Sequence, residues 1–337
     1  MLQLRKLYLC LFFVSLETAY AYTPTTWIEG TPNNLFSPPC VSNVHGRFKK
    51  CSPWQGHVQA NLFSVVQPNE SYYGYEGYGI ALQGHLHLDG LLKGLYVQLY
   101  VPTLLVHEKI RRWSWLSGPQ KYYSGYSASI ADIPTLIGWE AIQRKSWHVS
   151  GYFVGTIPTS KHKLFHHGLA YPSISYNRQF SCAPGLENFV RLWGKPKHHI
   201  DWLTEADVTF RRGFNDTWVT INWTDNSSTL VPIRIHANRM YRVRSDIAYK
   251  FKHFISDFGV QYLNIPEEEC SLINQPPTSM DTVISPSQEM WDVFLDIGWE
   301  MQLAKLPSYV TIGVHYGIGE ANTPEYWDIN VKVGTQF

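Results

Sequence analysis

The sequence predicts an all-β fold: a transmembrane, antiparallel, up-and-down β-barrel of 12–14 strands that follows an irregular N-terminal segment. Three observations predict it: strict alternation of apolar and polar residues, long alternating runs, and repetition of these runs to the end of the chain. The alternation is clearest over 291–303, WDVFLDIGWEMQL, where every odd-numbered residue is apolar and only Phe294 is apolar between them. Successive side chains of a strand point to opposite faces, so one face is apolar and the other carries three carboxylates.

The period and the length of these runs favour membrane-spanning strands. A helix would spread both sets of residues around its circumference at about 100° per residue. Ordinary strands have about 5–6 residues, whereas strands with one lipid face need about 9–11 tilted residues. Alternating runs lie, in chain order, at 57–66, 78–88, 91–101, 133–139, 147–157, 202–210, 218–223, 241–250, 254–262, 291–303, 309–318 and 327–337. Two further strands near 168–179 and 188–195, in a proline-containing region, would bring the number from twelve to 14.

Short turns and long loops separate these runs. Asp89-Gly90 is typical of a tight hairpin, and the other short turns are predicted at 143–146, 213–216, 250–253 and 304–307. Longer loops are predicted at 102–131, 225–231 and 264–288. Outer-membrane barrels have short turns at one end and longer loops at the other, so this asymmetry supports the same fold.

The N-terminal residues precede the barrel. Residues 1–21 have a basic start, an apolar core and an Ala-Tyr-Ala end, which is the pattern of a secretory signal peptide. Residues 22–55 alternate poorly and are rich in Pro, Gly and Asn, so they are expected either to enter the barrel as a plug or to form a periplasmic tail. The barrel is predicted over 56–337. No later segment offers about 18 uncharged apolar residues, so any membrane crossing must use strands.

Charge and cysteine content restrict the partners and the compartment. The 28 basic and 27 acidic residues become equal in number once Arg5, Lys6 and Glu17 leave with the signal peptide, which gives no support to a nucleic-acid partner. Four cysteines remain, an even number that permits disulfides in an exported chain. Cys40 and Cys51 are close in sequence and are the first candidates for a bond, and Cys182 with Cys270 would follow by elimination.

Polar residues on the alternate positions are predicted to face the barrel interior. The candidate solute-facing residues are His85, Tyr96, Tyr100, Arg242, Arg244, Asp292, Asp296, Glu300 and His315. Facing acids and bases could set solute selectivity, or they could neutralise one another as a network that fills the barrel. Asp292, Asp296 and Glu300 on one strand are balanced by Arg242, Arg244 and Lys250 on another, and this balance favours the network.

No metal, cofactor or catalytic motif is found. His85 and His87 share a face, but no further ligand completes a metal site. There is no HExxH, GxSxG, P-loop or GxGxxG motif. We therefore expect no cofactor, no metal and no enzymatic activity. Four N-x-S/T sequons would suit a secreted glycoprotein, although one of them, at Asn222, lies in a predicted strand.

Two segments resemble known barrel families. The chain ends in Phe337, preceded by alternating residues that include Val331 and Val333, and this resembles the C-terminal assembly signal of bacterial outer-membrane barrels. That resemblance implies recognition by the barrel-assembly machinery. The segment ADIPTLIGWE, followed by a hairpin and FVGTIPTSKHK, resembles strands of FadL-like transporters of fatty acids and aromatic hydrocarbons. That resemblance implies passive uptake of small apolar molecules past an N-terminal hatch.

The sequence thus predicts a bacterial outer-membrane barrel that binds or passively transports small solutes, with hydrophobic solutes among the candidates. Its expected partners are outer-membrane lipids, the assembly machinery and the solutes themselves. The alternatives are a secreted soluble β-sandwich that binds carbohydrate with exposed Trp and Tyr, and a structural or adhesive surface barrel. A sandwich would alternate as well, but a second sheet would cover its apolar face.

Overall fold

The computed structural model describes residues 54–66, 72–88, 91–112, 121–130, 133–144, 146–157, 165–166, 169–170, 180–195, 198–221, 228–236, 238–266, 268–272, 282–285, 287–319 and 325–336. In these ranges the chain forms nineteen β-strands. They are β1 Trp54–Val66, β2 Tyr72–His87, β3 Leu95–Arg112, β4 Lys121–Ile130, β5 Ile133–Arg144, β6 Trp147–Ile157, β7 Phe165–His166, β8 Leu169–Ala170, β9 Ser181–Lys195, β10 His198–Arg211, β11 Phe214–Ile221, β12 Ser228–His236, β13 Met240–Phe251, β14 Phe254–Ile265, β15 Glu268–Leu272, β16 Thr282–Ser285, β17 Gln288–Leu303, β18 Leu306–Gly319 and β19 Glu325–Gln336.

Thirteen of the described strands form one antiparallel sheet whose pairing order is circular. The order is β2-β1-β19-β18-β17-β14-β13-β10-β9-β6-β5-β3-β4, and β3 also pairs with β2. Every strand of the sheet except β4 therefore has a hydrogen-bonded neighbour on both sides, and twelve strands complete the ring. Strand β4 pairs with the second half of β3, while β5 pairs with its first five residues. An all-β, up-and-down barrel is the fold that the alternation predicts.

Two smaller sheets lie outside the ring. Strands β11 and β12 belong to the connection between β10 and β13, and β15 and β16 belong to the connection between β14 and β17. These four strands pair in the order β11-β12-β15-β16, and β7 pairs with β8. The long connections from β10 to β13 and from β14 to β17 therefore share a sheet of their own, and we call the end of the barrel where they lie the long-loop end.

The opposite end carries the short turns. Turns of two residues join β13 to β14 and β17 to β18, with Ala304 and Lys305 at φ 50° and 69° in the latter. Two consecutive positive φ angles are typical of the type I′ hairpin, whose twist matches that of the flanking strands. Strand β1 begins at this end, because Gln55 pairs with Gln336.

The outer face of the ring is apolar. Its exposed residues include Ile80, Leu82, Leu99, Ile137, Phe153, Leu186, Val243, Ile247, Phe258, Leu295, Ile297, Ile312, Val314 and Ile329. Exposed aromatic residues lie towards both ends, with Trp139, Trp147, Trp193, Phe251 and Trp299 at the short-turn end and Phe210, Tyr241, Trp291, Tyr316 and Trp327 at the long-loop end. Trp291 and Trp299 are about 27 Å apart along their strand at about 3.4 Å per residue. Two aromatic girdles that flank an apolar band about 25 Å tall are typical of outer-membrane barrels.

Four local predictions are wrong. Within 102–131, predicted as a loop, residues 102–112 continue β3 and Lys121–Ile130 form β4, whereas 113–120 lie outside the described residues. The predicted hairpin is formed, because β2 pairs with β3, but its connection is longer than the two-residue turn predicted at Asp89-Gly90. Strand β2 ends at His87 and β3 begins at Leu95, and Asp89 and Gly90 lie outside the described residues. The turn at 213–216 lies at the long-loop end, since β10 pairs with β13 and not with β11. The loops predicted at 225–231 and 264–288 contain the start of β12 and all of β15 and β16. The error at 213–216 arises because alternation along one segment does not show which strand will pair with it. The loop predictions are based on composition, and the turn at Asp89-Gly90 on a dipeptide, and neither shows where a strand ends.

Candidate functional site

The candidate site is the inner face of the ring, which has two chemically different halves. We call the inner face of β10, β13, β14, β17, β18 and β19, six neighbouring strands, the charged wall. Its buried carboxylates are Asp201, Glu205, Asp207, Asp246, Asp257, Asp292, Asp296 and Asp328, and its buried cations are Arg242, Arg244, Lys250 and Lys332. Eight carboxylates therefore stand against four cations among the described residues. The balance that the sequence suggested is not what the folded wall contains.

The other half is the inner face of β2, β3, β5, β6 and β9, and we call it the neutral wall because its fully buried residues are uncharged. Its half-buried carboxylates, Glu140 and Glu187, lie near Tyr96. Its buried residues include Gln83, Tyr96, Gln98, Tyr100, Leu136, Ser150, Tyr152, Val154, Thr156, Ser181, Ala183 and Phe189. Five of them form an apolar cluster, namely Tyr96, Leu136, Tyr152, Val154 and Ala183. In the circular order β3, β5 and β6 lie six strands from β14, β17 and β18, so the neutral wall stands across the interior from the charged wall.

A chain of polar contacts joins the two walls at Arg242. The Arg242 guanidinium donates to Asp207 through Nε at 2.7 Å and to the Tyr152 hydroxyl through Nη2 at 3.0 Å. The Tyr152 hydroxyl donates in turn to Asp207 at 3.0 Å. Glu205 lies 3.4 Å from Arg242 Nη1. Tyr152 reaches this group by lying over Gly185, its direct partner on β9, where a Cβ atom would overlap the phenol ring.

A second group surrounds Arg244. Its Nη2 atom lies 2.6 Å from Asp246 and 3.8 Å from Asp257, and its guanidinium lies 4.5 Å from the centroid of the Phe294 ring. Phe294 is the apolar residue that breaks the alternation of β17. Its ring lies over Gly259 on β14 and stacks on His315 with centroids 5.4 Å apart. Phe294 therefore offers Arg244 a cation–π contact on the inner face.

The remaining cations each have a carboxylate partner. Lys332 reaches Asp296 at 3.2 Å, across β18 at the position of Gly313, where a Cβ atom would overlap the Asp296 carboxylate. Lys250 forms an ion pair with Glu300. Asp201 pairs with Arg191 at 2.9 Å and with His199 at 3.1 Å. Buried charges are tolerated when they are paired in this way.

On both walls, large inward aromatic side chains lie over glycines of the neighbouring strand. Tyr96 covers Gly138, Tyr152 covers Gly185, Phe294 covers Gly259, and Tyr309 covers Gly334, and each aromatic residue is the direct cross-strand partner of its glycine. A side chain that lies flat on the neighbouring strand projects less into the interior. Aromatic rings over sheet glycines also supply packing that the glycine itself lacks.

The inner wall is packed. The twelve charged residues of the charged wall named above are at most 6% exposed. Water in a wide pore would contact these groups, so the described part of the wall is filled at their level. A solute that passes must displace some of this layer.

The structure places the predicted interior residues as follows. Tyr96, Tyr100, Arg242, Arg244, Asp292, Asp296 and His315 are buried on the inner face, and Glu300 is half-buried beside Lys250. His85 lies in β2 opposite Gln98, and its side chain is outside the described part. His315 lies 3.7 Å from Asp292, so these two predicted residues are neighbours.

The same alternation contains interior residues that sequence reasoning did not single out. They are Tyr152, Asp201, Glu205, Asp207, Asp257, Asp328 and Lys332. Each occupies an inward position of a long strand, and that position was the available signal. What the sequence lacked was the order of strands, which determines that Arg242 meets β10 and not β17.

The other predicted residues lie outside the interior. Val331 and Val333 are exposed on the outer face of β19, and Phe337 lies outside the described residues. Cys182 on β9 is a free cysteine, so the predicted Cys182–Cys270 bond is wrong. The bond is not formed because the two cysteines lie in different sheets, with Cys182 in the ring and Cys270 in the separate four-stranded sheet. Cys40 and Cys51 precede the first described residue.

Two searches of the described part of the chain gave negative results. No cluster of three or more His, Cys, Asp or Glu side chains has an arrangement that could hold a metal ion. No helix in those ranges is long and apolar enough to cross a bilayer.

Comparisons with solved structures show the fold. The chain is similar to an outer membrane channel of Pseudomonas putida F1, with a TM-score of 0.55 and 11% identity, over 86% of this chain and 96% of that one. It is also similar to the toluene transporter TodX of Pseudomonas putida, with a TM-score of 0.52 and 11% identity, over 90% and 92% of the two chains. No protein-family model matches the sequence, and no curated protein matches it. The fold is that of outer-membrane channel barrels, as predicted.

Proposed function

We propose that this protein is an outer-membrane barrel that binds small solutes or lets them pass passively, and that it carries out no covalent chemistry. The observation that carries the proposal is a circular sheet with an apolar outer face and a polar inner face. In such a ring each of the twelve strands has a hydrogen-bonded neighbour on both sides, as a bilayer requires of strands that cross it. The similar structures are named as a channel and a toluene transporter, which supports passage over a purely structural role.

The neutral wall suits solutes with an apolar part. Tyr96, Leu136, Tyr152, Val154 and Ala183 form an apolar cluster inside the ring, beside neutral polar residues such as Gln83 and Gln98. Pockets for small molecules combine mostly apolar lining with a few placed polar groups. The solute-facing role of Tyr96, Tyr100, His85 and the charged wall is part of this proposal.

Export and assembly complete the proposal. Residues 1–21 would act as the signal peptide, and the strand ending at Phe337 would be read by the barrel-assembly machinery. Outer-membrane lipids would then contact the apolar band. The soluble β-sandwich is not favoured, because the ring consists of one circular sheet and its apolar face is exposed.

We further propose that residues 22–53, the part of the predicted segment 22–55 that precedes β1, enter the barrel as a plug. Strand β1 begins at the short-turn end beside β19, so the preceding residues reach the ring at the mouth of the interior. Such a plug would keep solutes out of the lumen until the plug itself moves. The rival position is a tail outside the mouth.

A liposome-swelling assay tests the proposed passage. Vesicles that contain the folded mature chain should admit small sugars and small aromatic alcohols faster than protein-free vesicles, with a rate that falls as solute size rises. The control is the same chain without refolding. Equal rates with and without the folded barrel would instead support the structural or adhesive alternative.

A further inference from the structure

The connections at the short-turn end of the barrel share one feature, an exposed cation. Five of them join neighbouring strands there, namely β2 to β3, β5 to β6, β9 to β10, β13 to β14 and β17 to β18. Each has one exposed lysine or arginine in it or directly beside it, and we call these five residues the turn cations: Lys93, Arg144, Lys195, Lys252 and Lys305. None of them forms an ion pair within the described part of the chain.

No exposed carboxylate balances the turn cations in the described part of that end. Glu140 and Glu300 are half-buried, and Glu300 is paired with Lys250. Glu269 is exposed, but it lies on β15 at the long-loop end. In the sequence, the five connections with their flanking residues (87–95, 144–147, 195–198, 251–254 and 303–306) contain one acid, Asp89, against Lys93, Arg144, Lys145, Lys195, Lys197, Lys252 and Lys305. This rim of the barrel therefore presents positive charge.

The turn cations surround the barrel instead of forming a patch on one side of it. In the circular order, the five connections follow one another at every second strand, and the sixth place lies between β1 and β19. Neighbouring strands are about 4.8 Å apart, so successive connections are about 10 Å apart along the perimeter. A soluble partner that docks from one side needs a patch, whereas a ring of charge suits a partner that encircles the barrel. A lipid leaflet is such a partner.

The turn cations lie at the level of the aromatic girdle of that end. The Arg144 guanidinium lies 5.7 Å from the centroid of the Trp147 ring, and Lys252 Nζ lies 5.3 Å from the centroid of the Phe251 ring. Aromatic girdles of outer-membrane barrels mark the membrane–water interface, where amphipathic rings lie among the lipid headgroups. The turn cations therefore reach the layer that contains the lipid phosphates.

Exposed leucines accompany two other turn cations. Leu91 and Leu92 are 80% and 52% exposed and directly precede Lys93, and Leu303 is 44% exposed two residues before Lys305. In water this exposure of apolar surface would be unfavourable. In a membrane the leucines lie in the acyl layer, while the long lysine side chains extend their charge to the headgroups. These turns therefore combine an apolar anchor with a cation.

We infer that the short-turn end of the barrel selects anionic phospholipids, whose headgroup phosphates accept hydrogen bonds from the turn cations. This inference rests on the proposed function, because a lipid shell exists only around a barrel that spans the membrane. It deepens that function by naming the headgroup class and the residues that bind it. Short turns face the periplasm in outer-membrane barrels, so the lipids concerned are those of the periplasmic leaflet.

Spin-labelled lipids test the inference. The refolded mature chain is reconstituted in phosphatidylcholine vesicles with a trace of phosphatidylglycerol or phosphatidylcholine that carries the same nitroxide on one acyl chain. Electron spin resonance separates lipid held at the barrel surface from bulk lipid and gives the relative association constant of the two headgroups. Phosphatidylglycerol should associate about two- to fivefold more strongly at low ionic strength, since one basic side chain near an anionic lipid contributes about fivefold.

Salt provides the first check on the unmodified chain. In about 1 M salt, where the Debye length is about 3 Å, the preference for phosphatidylglycerol should nearly disappear. Equal association constants at low ionic strength would overturn the inference. So would a preference that salt leaves unchanged, because it would not come from exposed charge.

Matched triple variants locate the preference. The first removes the cations of three consecutive turns: Lys195→Gln, Lys252→Gln and Lys305→Gln. It should remove more than half of the excess association, because three of the five turn cations are lost. The control removes the same charge from exposed positions at the long-loop end: Arg212→Gln, Arg234→Gln and Arg239→Gln. An equal fall in the control would show attraction to the net charge of the molecule and refute the turns as the site.

A smaller comparison keeps the test decisive if the triple variant fails to fold, which heat-dependent gel mobility shows. Lys252→Gln with Lys305→Gln should remove about two fifths of the excess, more than Arg212→Gln with Arg234→Gln. If the lipids associate equally but polyglutamate binds the proteoliposomes and is lost in the lysine variants, the turns serve a soluble acidic partner and the inference is overturned. Absence of any barrel-held lipid refutes the membrane barrel itself, whereas barrel-held lipid without headgroup preference refutes the inference alone.

Discussion

The contact between Tyr152 and Gly185 gives a prediction that can be worked out from the structure. A Cβ atom on Gly185 would lie within 3.0 Å of three atoms of the Tyr152 side chain, including its hydroxyl oxygen. The ring must then move by about 1 Å, which breaks the hydrogen bonds of the hydroxyl to Asp207 and from Arg242, both 3.0 Å long. Hydrogen bonds to charged groups contribute about 1.5–3 kcal/mol each. After partial relaxation, Gly185→Ala should lower the free energy of unfolding by about 2–4 kcal/mol.

The matched control is Gly151→Ala on β6. A Cβ atom there meets only Leu186 Cδ2, at 3.9 Å, which is an ordinary contact. The substitution shares the change in backbone entropy, worth about 0.5–1 kcal/mol in favour of alanine, but not the overlap. Urea unfolding in lipid vesicles, followed by the fluorescence of the tryptophans, measures both variants. A loss in Gly185→Ala no larger than in Gly151→Ala would refute the placement of the ring.

A double-mutant cycle separates steric cost from hydrogen bonding. Tyr152→Phe removes the hydroxyl and keeps the ring, so Gly185→Ala in that background should cost about 1–2 kcal/mol less than in the unmodified chain. Full additivity would show that Gly185→Ala leaves the hydrogen bonds of the hydroxyl to Asp207 and from Arg242 intact, which would contradict the predicted displacement of the ring.

The remaining predictions concern the two faces and the N-terminal segment. Leu295→Arg places a charge midway between the two girdles on the lipid face, where it should cost about 2–4 kcal/mol. The inward double variant Asp296→Asn/Lys332→Met removes a whole ion pair and should leave assembly intact. Fractionation and gel mobility compare the two, and equal damage would contradict the two-face assignment. Lys332→Met leaves Asp296 buried without its cation and should destabilise the barrel by about 3–5 kcal/mol. Urea unfolding measures this loss, and adding Asp296→Asn to the same chain should relieve it. Deletion of 22–53 should raise single-channel conductance if this segment is a plug, and an unchanged conductance would favour a tail.

Alternation in the sequence predicts which face of a strand each residue occupies, but not which strand lies beside it. The run 291–303 shows its faces directly, because Leu295 and Ile297 are exposed while Asp292 and Asp296 are buried. Phe294 looked like an exception, and only the pairing with Gly259 explains it. A ring that lies over a glycine of the neighbouring strand can fill an inward position.

The pairing partners could not be read from the sequence. The sequence places the acids of 292–300 opposite the bases of 242–250, and one such pair, Lys250–Glu300, is formed. However, β14 lies between these strands, and Arg242 pairs with Asp207 on β10. Lys332, which does reach Asp296, comes from a strand two positions away in the ring. Segments rich in Tyr, Ser and Gly, such as Lys121–Ile130, looked like loop by composition and form a strand instead. Composition describes exposure, whereas hydrogen bonding to a neighbour determines whether such a segment becomes a strand.

The account depends most on the apolar outer face being in contact with lipid. A nitroxide scan of β18 over 309–318 in vesicles measures this directly, one labelled cysteine at a time in a chain without its own cysteines. Accessibility to oxygen, which concentrates in lipid, should peak at the even positions Val310, Ile312, Val314 and Tyr316, which lie on the outer face or at its edge. A water-soluble nickel reagent that reached those positions, or a scan with no period of two, would contradict the account.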